Sequence, residues 1–349
     1  MILSFSTSAF AVSEATALFL LINPGARAGG MGEAFMGIAD DATGLYYNPA
    51  SIGFFRNTRF HFMHSNWLPQ LADDLFYDYF AGTYYVDGVG TFGANITYLN
   101  LGDQIRTNEF GQEEGTFTSY NFAANLAYAY QFSERQTLGV GMKLVWMKLA
   151  DDQSVGNETT KGSAKTLAVD IGYMHKDFLT KDLTFGASIA NIGPKVTFND
   201  KDQADPLPTN LKLGFGYKVV EDRFNKLTFL YDVNRQLVKA NKVDTVFTAT
   251  DTTVTGGEKD PVYKAIFTTW TDDKTLERFV HNVGAEYWYS DLVALRAGYI
   301  WDPEGKIEAP TLGFGLKYLQ FRFDFGIIIT LDSDHPLSNT LRFSLDAQL

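Results

Sequence analysis

Cysteine is absent from the 349 residues, so no disulfide framework, thiolate metal site or thiol nucleophile is available. No run of about 18 apolar residues occurs, which excludes a transmembrane helix. The longest apolar stretches, Ala17–Ile22 and Phe325–Leu331, are far too short. Basic residues are outnumbered, 29 against 41 acidic, and the net charge of -12 argues against nucleic acid, which needs a basic face. There is no G-x-S-x-G and no P-loop, and Gly29-Gly30-Met31-Gly32 lacks the strand–helix setting of a nucleotide loop. Histidine is scarce: His61, His64, His175, His281 and His335. His61 and His64 are three apart on a predicted strand and so face opposite ways, which keeps them from chelating together. Asn199–Asp205 alternates oxygen ligands but lacks the Gly and the distal Glu of an EF-hand loop, so a solvated loop is expected there. No catalytic constellation, metal or other cofactor is expected, and the chain reads as a non-enzyme.

Aromatic residues are abundant instead: 15% of the chain, with 29 Phe and 18 Tyr. They fall in segments of about ten residues that alternate apolar with small or polar side chains, each closed by a turn. In Thr91–Leu99, Phe92, Ala94, Ile96 and Tyr98 share one face, and Thr91, Gly93, Asn95 and Thr97 the other. Tyr120–Gln131 and Leu211–Val219 repeat the theme, the latter opposing Leu211, Leu213, Phe215, Tyr217 and Val219 to Lys212, Gly214, Gly216 and Lys218. Fourteen such strands are predicted, at 57–65, 74–86, 89–101, 116–132, 136–149, 164–176, 183–192, 209–220, 227–236, 277–289, 292–301, 310–318, 321–331 and 339–349. Their connections alternate long and short throughout. A soluble sandwich has no reason to do so, whereas an up-and-down outer-membrane barrel does, with long outside loops and short periplasmic turns. The expectation is an all-β, transmembrane antiparallel barrel of fourteen strands over residues 57–349, in contact with outer-membrane lipid, with both termini periplasmic.

Residues 1–11 read as the end of a signal peptide, since Ile2–Phe10 is mildly apolar and Ala9-Phe10-Ala11 has the A-x-A form. Within residues 12–56, the stretch Asn23–Gly53 does not alternate, and Gly and Ala supply 13 of its 31 residues. Many glycines permit close backbone approach, while Ile38, Leu45, Tyr46, Tyr47 and Ile52 need burial. A plug inside the lumen meets both demands. Asp40 and Asp41 are placed to cap backbone N–H groups or to pair with Arg27. Asn48-Pro49 sets a turn, because the residue before Pro avoids the helical region.

The string Phe19–Ile22, Ala26-Arg27-Ala28-Gly29-Gly30-Met31-Gly32, Ala39–Ala42 and Asn48-Pro49-Ala50 resembles the opening of the PorV/PorQ family, within the superfamily of FadL-type long-chain fatty acid transporters. The resemblance implies a fourteen-stranded barrel with an N-terminal plug. For PorV-like members it implies work in type IX secretion: receiving cargo with a C-terminal signal domain from the translocon and passing it to an attachment complex. Arg27, Gly29, Gly30, Gly32, Asp40, Asp41, Asn48 and Pro49 are the family-signature positions and are assigned to the plug.

Two apolar patches stand in otherwise polar loops: Trp67-Leu68 in the first outside loop, and Val262, Tyr263, Ile266, Phe267 and Trp270 in the long loop Leu237–Leu276. They are the candidate partner-binding residues. The functional expectation is an export component that binds cargo or translocon through these loops. The alternative is a FadL-like channel for fatty acids or other apolar molecules, with lumen-facing Gly214 and Gly216 on its path.

Overall fold

The structure is a computed structural model that describes residues 15–349, apart from 109, 152, 156–157, 199–203, 240–242, 248–251, 257–258, 272–274 and 333–334. The signal-peptide segment and most of the Asn199–Asp205 loop lie outside the described residues.

Among the described residues, eighteen strands follow in chain order. Those of the barrel are β1 (Arg59–Asn66), β2 (Phe76–Val86), β3 (Gly90–Thr107), β4 (Glu113–Ser133), β5 (Gln136–Lys148), β8 (Ser163–His175), β9 (Leu183–Ile192), β10 (Asn210–Glu221), β11 (Asn225–Gln236), β14 (Val280–Tyr289), β15 (Val293–Asp302), β16 (Ile307–Tyr318), β17 (Phe321–Ile328) and β18 (Thr340–Gln348). They form a closed antiparallel barrel in which β1 pairs with both β2 and β18. All fourteen predicted strands are present. The two remaining pairs, β6 (Gln153–Val155) with β7 (Glu158–Thr160) and β12 (Val243–Phe247) with β13 (Thr252–Gly256), are small hairpins inside loops.

The wall is inverted relative to a soluble protein. In β3, Phe92 and Ile96 are 47% and 44% exposed while Thr91, Asn95 and Thr97 are buried. In β4, Leu126 is outside at 66%, and Asn121, Ala123, Asn125 and Ala127 are inside. In β18, Leu341, Phe343 and Leu345 face out, and Arg342 and Ser344 face in. Water would not leave a large apolar band of this kind uncovered on a monomer; lipid does. His61 is buried in the lumen and His64 half-exposed on the other face, as their spacing requires.

The described residues of loops 67–75, 149–162, 193–209, 237–279 and 329–339 gather at one rim, and turns 87–89, 134–135, 222–224, 290–292 and 319–320 at the other. One connection departs from expectation. The stretch read as a long loop after β3 is mostly strand, because β3 and β4 extend their pairing to Arg106 and Gly115 and rise beyond the rim as a ribbon. The long loop is not bare coil either: it holds β12, β13 and helix α3 (Val262–Thr268).

The two rims make a direct topological test. With no native cysteine to mask, Lys264→Cys and Lys195→Cys should react with a membrane-impermeant maleimide on intact cells, and Asp87→Cys and Ser290→Cys should not. Equal labelling of both pairs would mean that the two rims do not lie on opposite sides of a membrane.

Candidate functional site

The N-terminal segment crosses the lumen from one rim to the other. Ala15 and Thr16 start among the long loops, where Thr16 N–H donates to Pro206 O at 3.0 Å. A 3-10 turn at Leu18–Leu21 leads to α1 (Ala26–Gly29), α2 (Gly44–Tyr47) and a second 3-10 turn at Pro49–Phe54. Asn48 caps that turn by accepting from Ala50 N–H at 3.0 Å, with Pro49 at the first position, where its missing donor costs nothing. The chain then leaves at the short-turn rim, where Arg59 pairs with Gln348. Ala15 and Thr16, the first described residues, therefore lie at the rim opposite to Leu349. The residues before them lie outside the described residues.

A track of wall glycines carries this plug. In register across neighbouring strands lie Gly139 with Gly172, Gly186 with Gly214, Gly284 with Gly298, and Gly313 with Gly326. Plug main chain lies on them directly. A Cβ on Gly139 would strike Pro49, on Gly298 the backbone of Met31 and Gly32, on Gly326 Ala26, and a Cβ on Gly37 would strike Gly216. Gly30 of the plug meets Gly313 glycine to glycine, with 2.7 Å left for a Cβ. Gly32, at φ +62°, is needed both for the turn and for the approach. Wall side chains complete the seat: Ala26 N–H donates to Ser344 Oγ at 2.8 Å, Gly32 N–H to Thr311 Oγ1 at 2.8 Å, and Phe35 and Met36 N–H to Asp232 at 2.5 and 2.8 Å. Leu45, Ile52 and Phe55 pack with Met63, Tyr79 and Ala129 in one apolar cluster.

Charge binds the plug to the other half of the wall. Arg27, 3% exposed, bridges Glu286 of β14 at 2.6 Å and Asp40 at 2.7 Å. Glu286 continues to Arg296 at 2.7 Å, Arg296 to Asp324 at 2.9 Å, and Asp324 to Arg322 at 2.7 Å. Arg322 also holds Asp41 and, at 2.7 Å, Asp346, which reaches His61 at 3.0 Å. Asp41 accepts from Thr43 N–H at 2.9 Å, closing a local turn. Burial raises the Asp41 carboxyl, but Arg322, His61 and Arg27 outweigh it and hold the group well below the usual carboxylate range. Asp40, open to the inner chamber, is likewise held low by the Arg27 guanidinium. Asp41, His61 and Asp346 bring three possible ligand atoms within 4.8 Å. Arg322 donates to both carboxylates, so the positive charge a metal would bring is already present.

All eight family-signature residues are thus in the plug, seven of them buried and only Asp40 open to the inner chamber. The wall half of the network, Glu286, Arg296, Arg322, Asp324 and Asp346, was missed from sequence. The available signal was the run of charged residues on the inward face of successive strands.

The loop candidates separate. Trp67 turns inward, half-buried against Tyr77 at 6.1 Å, with Leu68 beside it at φ +50°. On α3, Tyr263 and Phe267 stand 73% and 76% exposed, while Ala265 is buried and Val262 half-buried; Trp270, in the 3-10 turn just after it, is 42% exposed. This stripe is pinned to the barrel: Arg235 of β11 lies under Trp270 at 4.5 Å and donates to Thr269 O at 2.5 Å.

The plug divides the lumen into two chambers. The inner one, about 570 Å³, is floored by Arg27 and Asp40 and lined by charged residues including Arg59, Lys176 and Arg322. The outer one, about 470 Å³, opens among the long loops and has apolar walls, Val280, Ile300, Ile307 and Ile328, above a polar floor of Asn23, Asn210, Lys212 and Arg342.

The family described as Type IX secretion system protein PorV matches residues 7–243. No curated protein matches the chain by sequence. Among solved structures, the Ralstonia pickettii toluene transporter TbuX is 14% identical with a TM-score of 0.55, over 95% of this chain and 98% of that one. The Pseudomonas putida toluene transporter TodX is 15% identical with a TM-score of 0.55, over 93% and 96%. These two likenesses concern the fold.

Proposed function

The chain belongs to the type IX secretion PorV family, and from that premise we propose that it is a non-enzymatic outer-membrane export component whose long loops engage exported cargo or the translocon. In this reading the long-loop rim faces outward and the C terminus lies in the periplasm. The observation that carries it is the aromatic stripe on α3. Tyr263 and Phe267, at i and i+4, share one face of α3, and both are exposed; Trp270, in the 3-10 turn that follows, packs back over Arg235 of β11. Exposed aromatics on a rigid support are the usual anchors of a protein interface. Trp67 is not part of that face; it belongs to the mouth of the outer chamber.

Tyr263→Ala with Phe267→Ala should weaken capture of exported protein or translocon in pull-downs from native membranes by on the order of 2 kcal/mol, with barrel assembly unchanged. Undiminished capture would remove the stripe from the interface.

The apolar walls of the outer chamber favour the second reading, uptake of an apolar small molecule. Two features oppose it. The plug occupies the lumen between the two chambers, and Gly214 and Gly216, which a transporter would place on its path, lie under Met36 and Gly37 of the plug. A deletion strain separates the readings. Normal surface export with lost growth on an apolar carbon source would overturn the export assignment.

A further inference from the structure

β3 and β4 outrun their neighbours. β2 pairs with β3 only as far as Asn100, and β5 with β4 only as far as Tyr120. Beyond those points the two strands pair with each other alone, from Asp103 opposite Thr118 to Thr107 opposite Glu113. Side chains hold this ribbon in shape. Thr118 Oγ1 donates to Asp103 Oδ1 at 2.6 Å, and Asn108 closes the tip by accepting from Phe110 and Gln112 N–H, each at 3.0 Å. Ile105 and Phe110 nevertheless stand 59% and 79% exposed. A two-stranded ribbon is marginal in water, and a third strand gives it independent stability.

The two edges of the ribbon differ. On β3, the Asp103 N–H points away from β4 and donates to Asp74 at 3.1 Å, so loop 67–75 stops that edge. Because Asp103 turns its amide outward, it forms a non-hydrogen-bonded pair with Thr118. The amides of Thr118 and of Thr116, two residues along, therefore point outward as well, from the β4 edge. No strand pairs with them among the described residues, and both residues are exposed. This end of the ribbon is acidic. Asp103, Glu113 and Glu114 are exposed, and the one cation among the ribbon's described residues, Arg106, reaches Glu114 O at 3.3 Å. At its foot, Lys148 is paired with Asp151 at 3.0 Å.

We propose that the outer half of β4, residues 114–118, takes up a basic extended segment of a partner protein as an added strand above the end of β5. Main-chain hydrogen bonds to Thr116 and Thr118 supply the affinity, as in other strand additions to a free sheet edge. Lys or Arg side chains of the segment, set against Glu113 and Glu114, supply the preference. A second copy of this chain does not suit the edge, because pairing β4 with its own equivalent would bring like charges together. The contact is separate from α3 and goes beyond the export reading.

The experiment uses the detergent-purified full chain and a pool of ten-residue peptides, N-acetylated and C-amidated, in which Val, Ile or Thr alternates with Lys or Arg. Retained members are read by mass spectrometry and their affinity by fluorescence anisotropy. Thr116 and Thr118 turn their N–H groups outward, so proline at both positions keeps the hydrogen bonds between β3 and β4 and removes only the docking edge. Thr116→Pro with Thr118→Pro should weaken the retained peptides about tenfold, with the barrel folded by its gel mobility before and after heating. The same peptides methylated on their amide nitrogens keep their charges and lose their edge, and should also bind about tenfold more weakly to the wild-type barrel. A pool with Glu in place of Lys and Arg should not be retained. Four results would overturn the proposal: no basic peptide retained, methylated and parent peptides bound alike, the proline variant binding like the wild type, or the acidic pool retained equally. None of these measurements uses export, so they stand apart from the reading of α3.

Discussion

Gly298→Val is expected to open the barrel to ions. A Cβ there would overlap the backbone of Met31 and Gly32, and neither side yields by a rotamer change, because both are main chain. The wall is the stiffer partner: β15 is paired along its whole length with β14 and β16. The plug must therefore lift. Overpacking of this kind costs about 1–3 kcal/mol, and Gly313 and Gly326, under Gly30 and Ala26, leave no free volume beside it. In planar bilayers the wild-type barrel should stay closed and the variant should conduct, though less than a barrel lacking Asn23–Gly53. The same logic gives Gly30→Val a similar cost from the plug side. A Gly298→Val barrel as quiet as the wild type would mean that this segment does not seal the lumen.

A second large effect is expected at Arg27. Removing one partner of a buried pair leaves a charge stranded, at a cost on the order of 3–5 kcal/mol. Arg27→Met leaves Glu286 with Arg296, and Asp40 is 59% exposed, so the lower end applies, about 3 kcal/mol. That corresponds to roughly hundredfold faster hydrogen exchange at plug amides that the wall protects, notably Ala26, Gly32 and Met36. Acid should reproduce the change only late. Asp40 and Asp41 are held below their ordinary value of 3.8, so their contribution to the seat is complete above about pH 4 and fades as the pH falls through the lowered values. Protection of the Ala26 and Gly32 amides, relative to their intrinsic exchange at each pH, should be the same at pH 5 and pH 7; a loss of protection there between the two would show that groups other than Asp40 and Asp41 set the anchorage of that stretch.

The strand pattern was readable because lipid inverts the usual rule. Phe92 and Ile96 stand opposite Thr91 and Asn95, and the period of two survives whichever solvent lies outside. The plug was readable as a need for close packing, since Gly29, Gly30 and Gly32 fall together. Its partners were not. Gly298 and Gly313 look like ordinary small inward residues until register places them in one row, and register depends on every turn before it. Arg27 with Asp40 is a short-range pair, whereas Glu286 lies 259 residues away in sequence. The ribbon formed by β3 and β4 was taken for a loop because its outer half, Asp103 to Arg106, loses the apolar alternation once it clears the lipid. Trp67 was placed outside because sequence gives a loop residue no direction.

The grip on the plug also constrains how this molecule is born. Gly25 N–H reaches Met63 Sδ on β1 at 2.9 Å, Ala26 N–H reaches Ser344 on β18, and Glu33 reaches Arg342 on β18. β1 and β18 are the first and last staves of the cylinder and meet at its seam. The segment they clasp runs straight into β1 through Phe55 and Arg59. A cylinder that zipped shut empty would then have to be threaded lengthwise past glycines that leave no clearance. The staves must instead curl around a segment already laid in place, so that hooping the cylinder and filling it are one event, and whatever inserts this chain into the membrane handles a solid body.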